Sequence, residues 1–111
     1  MANLVCLAPF PNAVNLDLVR EILLVSEAKD GSYCAGLVFI YDEGDETAWL
    51  ESFDMNDKNE VVYSITETEE WSDNPLPYDN VQEAVEERTR YYIKVLKHLC
   101  ARNGEDLVGM R

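Results

Sequence analysis

The chain has 111 residues, an apolar content of 47% and a net charge of −13. This length accommodates one domain around one core, and the apolar content is that of a folded protein, so the acidity does not indicate disorder. Electrostatic repulsion disfavours nucleic acid and anionic membranes as direct partners, and it favours a basic protein surface instead.

The charges are strongly segregated along the sequence. Sixteen carboxylates and a single basic residue, Lys58, lie between Asp42 and Glu87, whereas residues 88–104 contain five lysines and arginines and no acid. This segregation predicts a molecule with one anionic flank and one cationic helical edge. It indicates what the protein attracts or repels, and it says nothing about chemistry.

The cysteines indicate a reducing compartment. Cys6, Cys34 and Cys100 are widely spaced and odd in number, which argues against a disulfide framework, and no zinc-ligand spacing is present. Residues 4–10 are too short for the apolar part of a signal peptide, and no stretch has the length of a membrane span. We therefore expect a cytoplasmic protein without a cofactor or metal ion.

The first 16 residues are interrupted by Pro9, Pro11 and two asparagines, which disfavour regular structure. We expect an N-terminal arm that packs onto the domain. The residues expected to make this contact are Leu4, Val5, Leu7 and Phe10.

Residues 17–28 fit two interpretations. The spacing of Leu18, Ile22 and Val25 suits a helical face, and Gly31 could end such a helix. Residues 22–25 are also a compact β-type run, and residues 29–31 suit a hairpin loop. We favour the strand and keep the helix as the alternative.

Three further strands follow. Residues 33–41 are aromatic and β-branched and apolar at both alternating sets of positions, which is typical of a central strand. A polar turn around Gly44 leads to a strand at 47–53, and a second turn at 56–59 leads to a strand at 61–66.

A long helix is predicted at residues 78–103. Asp79 and Gln82 have the spacing of a capping box, Asn103 and Gly104 form a stop signal, and the charges at both ends suit the helix dipole. The residues predicted to share its inner face are Val81, Ala84, Val85, Arg88, Tyr92, Val95, Leu96 and Leu99.

These elements predict a single α+β domain over residues 1–111. It consists of the arm (1–16), an antiparallel β-meander of three or four strands (17–71), one long helix (78–103) packed on one face of the sheet, and a tail (104–111).

No pattern in the sequence predicts catalysis. His98 is the only histidine, and the sequence supplies no nucleophile and orienting acid around it. A faint likeness to a calcium loop at residues 54–65 fails, because Asn59 and Ile65 stand where a glycine and a glutamate are needed. We expect no enzyme and no catalytic or metal-binding residues.

The acidic segments are the candidate binding surface, with Trp71 as an aromatic anchor among charges. The plainer interpretation is a solvated face that maintains solubility and discourages pairing of strand edges. The residues predicted to bind are Asp42, Glu43, Asp45, Glu46, Glu67, Glu69, Glu70, Trp71 and Asp73.

The sequence thus favours a small acidic binding module that occupies a basic surface of another macromolecule, as inhibitors that mimic DNA and immunity proteins do. The basic partner would be a nucleic-acid-binding protein or a cationic toxin. The alternative is a self-associating structural domain whose acidic surface serves solubility only. Apolar residues on both sides of the proposed sheet, with one helix to cover them, also predict a homodimer.

Overall fold

The computed structural model describes residues 4–7, 10–29, 31–65, 71–72 and 74–103, the last three of them by their backbone alone. Six strands and one long helix are present in this part of the chain. They are β1 (Leu4–Val5), β2 (Val14–Asn15), β3 (Val19–Lys29), β4 (Ser32–Tyr41), β5 (Glu46–Met55), β6 (Val61–Ile65) and α1 (Val81–Asn103).

Strands β3 to β6 form one antiparallel sheet in chain order, and α1 packs against β3, β4 and β5. The fold is therefore α+β, with a four-stranded meander followed by a helix. Residues 19–29 are a strand, as we favoured, and the helical alternative for this segment is wrong. The β4 strand lies between β3 and β5, in agreement with its apolar character on both faces.

The outer edge of β6 is partly paired. The Ser72 N–H donates to the Tyr63 carbonyl at 2.8 Å, and the Leu76 N–H donates to the Val61 carbonyl at 2.8 Å. These bonds satisfy strand groups that would otherwise be open to another chain.

The helix begins three residues later than predicted, at Val81, and its cap is different. The Asn80 side chain accepts the Glu83 N–H at 2.9 Å, so Asn80 and not Asp79 caps the helix. Leu76 is bonded to β6, and the Tyr78 N–H donates to the Leu76 carbonyl, which keeps this turn outside the helix. Both Asp79 and Asn80 are followed three residues on by Gln or Glu, so the sequence alone could not separate them.

The inner face of α1 is largely as predicted. Val85, Tyr92, Leu96 and Leu99 are buried, and Val95 is half-buried. They meet the side chains that β4 and β5 direct to the same side, including Leu37, Phe39 and Trp49.

The arm is more regular than its prolines indicate. Strands β1 and β2 pair with each other, and a 3-10 helix, Leu16–Leu18, leads into β3. Phe10 stacks on Trp49 with the ring centres 6.0 Å apart, and the Trp49 indole donates to the Asn12 carbonyl at 3.0 Å. The arm therefore packs on the helical side of the sheet.

The predicted arm contacts hold for Val5 and Phe10, which are buried, and for the half-buried Leu7. The expectation for Leu4 is wrong, since this side chain is 55% exposed. Neighbouring residues of a strand point to opposite sides, so Val5 can enter the core only if Leu4 turns away from it.

Candidate binding surface

The acidic turn at residues 42–45 joins β4 to β5 and is held by backbone hydrogen bonds. The Gly44 N–H donates to the Tyr41 carbonyl at 2.9 Å, and the Tyr41 N–H donates to the Asp45 carbonyl at 2.8 Å. Gly44 has a φ of 96°, a conformation that glycine adopts without steric cost. The turn therefore has a defined shape.

A further bond fixes the turn against the arm. The Asp42 N–H donates to the Leu18 carbonyl at 3.1 Å, so the 3-10 helix lies beside the turn. Between them is a groove of about 250 Å³. We call it the acidic groove, and the residues that line it are Leu4, Ala13, Asn15, Leu18, Tyr41, Asp42, Glu43 and Asp45.

The acidic groove combines apolar surface with exposed negative charge. Leu4 is 55% exposed and Leu18 is 54% exposed, which makes them two of the most exposed large apolar residues in the described part of the chain. The Asp42, Glu43 and Asp45 carboxylates are also exposed, and none of them forms an ion pair with a described residue. Glu46, the fourth predicted acid here, is exposed at the start of β5.

The predicted anchor, Trp71, lies far from this groove. It is 48% exposed and lines a different cavity with Ser32, Cys34 and Asp54. That cavity is at the start of β4, whereas the acidic groove is at its end, about 30 Å away at about 3.4 Å per strand residue. The structure therefore does not bring Trp71 together with residues 42–46. Glu67, Glu69, Glu70 and Asp73 lie outside the described residues.

A second groove, of about 330 Å³, carries positive charge. Lys94 and His98, one helical turn apart on α1, border it opposite Val5 and Leu7. Leu4 lines the acidic groove and its neighbour Val5 lines this one, so both grooves flank the same short strand. A groove with three exposed carboxylates and a groove with Lys94 therefore lie on the two sides of β1.

A buried polar cluster between sheet and helix was missed by the sequence analysis. Glu51 is 5% exposed, and its Oε1 accepts from the Arg88 Nε at 2.7 Å and from the Tyr92 hydroxyl at 2.8 Å. The Arg88 guanidinium also lies 4.3 Å from the centre of the Tyr91 ring. The alternation of side chains along β5 could have indicated this burial, because Glu51 lies between Trp49 and Phe53 on the inward side of the strand.

The environment of this cluster shifts the pKa values of Arg88 and Tyr92. Burial raises the pKa of the Tyr92 hydroxyl, and the negative charge of Glu51 raises it further. Burial alone lowers the pKa of Arg88, but the hydrogen bond and charge of Glu51 outweigh this effect, so that its pKa is raised. The Glu51–Arg88 ion pair and the neutral Tyr92 hydroxyl therefore join the helix to the sheet. None of these three residues lines the grooves described above.

Within the described ranges, no group of three His, Cys, Asp or Glu side chains is placed to hold a metal ion, and no helix is long and apolar enough to cross a membrane. No protein-family model matches the chain, and no curated protein sequence or solved structure is significantly similar to it. The geometry of the chain itself is therefore the basis for a functional proposal.

Proposed function

We propose that the protein is a small non-enzymatic binding module that occupies a basic surface of another macromolecule. The observation that carries this proposal is the acidic groove, where three exposed carboxylates border the exposed side chains of Leu4 and Leu18. A surface kept acidic only for solubility has no need of exposed leucines beside its charges. An apolar contact bordered by unpaired carboxylates suits a partner whose lysines or arginines surround an apolar residue.

The partner class follows from the charge. A net charge of −13 steers the module toward cationic surfaces, such as the nucleic-acid site of a protein or a cationic toxin. The module then acts as an inhibitor by competing for that surface. Cys6, Cys34 and Cys100 are not joined in a disulfide, which supports a cytoplasmic setting.

The test compares two charge reversals of equal size. Glu43→Lys with Asp45→Lys changes the acidic groove, and Asp57→Lys with Glu86→Lys changes two exposed acids elsewhere. Each double variant raises the net charge by four units, so that any difference between them reflects position and not total charge. Immobilised proteins are exposed to a cell fraction of heparin-binding proteins at about 0.1 M salt, where the Debye length is about 10 Å.

We expect wild type and the control double variant to retain the same discrete protein, identified by mass spectrometry, and to release it as salt rises. The Glu43/Asp45 variant should lose most of this retention while its circular dichroism is unchanged. Equal retention by both variants would contradict the proposal. It would favour the alternative function, a self-associating structural domain whose acids serve solubility.

A further inference from the structure

The sheet has a second face, which the described residues cover at its β6 side, where Val62 and Ser64 are buried, and leave half-exposed at its centre. Residues directly opposite each other on paired strands point to the same side. Across the three strands, Val38 of β4 lies between Leu23 of β3 and Ala48 of β5. Two residues further along β3 and β5, Gly36 lies between Val25 and Leu50 in the same way. We call this side the open face, and its apolar centre consists of Leu23, Val25, Val38, Ile40, Ala48 and Leu50.

The open face is separate from the core. None of its six apolar residues belongs to the buried cluster or packs against that cluster, and all six are only half-buried. The helix and the arm both lie on the other side, where Leu37, Phe39 and Trp49 are buried. Among the described residues, no element covers the centre of the open face.

We propose that the open face is the interface of a homodimer, in which the sheets of two copies pack against each other. This proposal is independent of the partner-binding role of the acidic groove.

The dimensions of the face fit such an interface. Strands of about ten residues are about 34 Å long, and β3, β4 and β5 together give a face of roughly 500 Å² on each copy. Two copies therefore bury about 1,000 Å², which is about the least that a specific protein interface buries. Sheets that pack in this way keep their strands within about 30° of each other.

The charges on this face lie at its two ends. The centre of the face carries no charge, as the centre of a protein interface requires. Glu21 and Glu46 flank Ile40 at one end of the face. At the other end, Lys29 is paired with Glu27 of the same strand at 3.7 Å.

These acids also argue against an anionic membrane as the occupant, because its surface potential repels them. Gly36, at the centre of the face, allows the backbone of β5 to approach β4 closely. A Cβ at this position would lie 1.9 Å from the Trp49 carbonyl oxygen, so only glycine is accommodated there.

The test is the mass in solution, measured by light scattering during size-exclusion chromatography at high micromolar concentration. Wild type should elute at twice the chain mass of 12.7 kDa. Val38→Lys places a charge at the centre of the open face and should elute as a monomer, whereas Leu18→Lys, at an exposed leucine outside the face, should remain a dimer. Circular dichroism verifies the fold of each variant, and Ala48→Lys replaces Val38→Lys if the latter does not fold.

A wild-type protein of 12.7 kDa at this concentration would overturn the proposal. So would a folded Val38→Lys variant that remains dimeric, or a loss of the dimer in Leu18→Lys, because each would show that another surface holds the copies together.

Discussion

The two faces of the sheet are built from the same strands, and they differ in what covers them. On one face α1 and the arm bury Phe39, Trp49 and Leu37, and even the charged Glu51 has its partners in Arg88 and Tyr92. On the other face Leu23, Val38 and their neighbours are half-exposed. The comparison shows that the described residues complete one side of the sheet and leave the centre of the other side apolar and half-exposed.

The largest expected difference between the faces is in the free energy of unfolding. Leu37→Ala on the covered face should cost about 2–5 kcal/mol, because it leaves a cavity in a closed core. Leu23→Ala makes the same change on the open face and should cost about 1 kcal/mol, because only part of that side chain leaves water on folding. Urea unfolding of both variants at the same low protein concentration measures both values. Equal losses of unfolding free energy in the two variants would show that other residues of the same chain bury the open face.

The sequence alone predicts most of the strands and the helix face on which this comparison depends. Alternation and apolar runs predicted the strands at 33–41, 47–53 and 61–66, and the heptad-like spacing of Val85, Tyr92 and Leu96 predicted the inner face of α1. The strand at 19–29 could be favoured but not decided, because its apolar residues also fit a helix. Only pairing with β4, a long-range contact, excludes the helix.

The candidate site was harder to predict than the fold. The acids at 42–46 were recognised from composition, but the groove beside them depends on how the arm folds back to bring Leu4 and Leu18 to the turn. The cluster around Glu51 was missed because a glutamate within an acidic segment looks like one more surface charge. Glu51 is nevertheless buried, because strand alternation places it on the inward side between Trp49 and Phe53 and because Arg88 pairs with its charge.

A smaller effect on the free energy of unfolding should come from the hydrogen bond of Tyr92 to Glu51, which links helix and sheet on the covered face. The raised pKa of Tyr92 means that the unfolded chain, with a tyrosine pKa of about 10, loses this proton before the folded chain does. The stability contributed by Tyr92 is therefore complete below about pH 10 and falls as the pH rises above it, by up to about 1.4 kcal/mol per pH unit.

Tyr92→Phe isolates this contribution. Near neutral pH it should cost about 1.5–3 kcal/mol, because it removes a hydrogen bond to a charged group. Above about pH 10 the variant should lose stability less steeply than wild type, since the five remaining tyrosines are common to both proteins. Parallel curves of unfolding free energy against pH would show that Tyr92 keeps no special proton affinity in the fold.

The most direct measurement uses a thiol that the chain already places on the open face. Cys34 lies beside Glu27 and Ser52 on this face, whereas Cys6 is exposed on the arm. Burial and the nearby charge of Glu27 raise the pKa of Cys34, which lowers the fraction of this thiol in the reactive thiolate form. Its alkylation can be followed by mass spectrometry at a fixed pH.

If two copies share the open face, alkylation of Cys34 should slow several-fold as protein concentration rises. The rate at Cys6 should stay constant, and in Val38→Lys the rate at Cys34 should stay constant as well. A Cys34 rate that is independent of concentration in wild type would contradict the account, because the open face would then remain in contact with solvent.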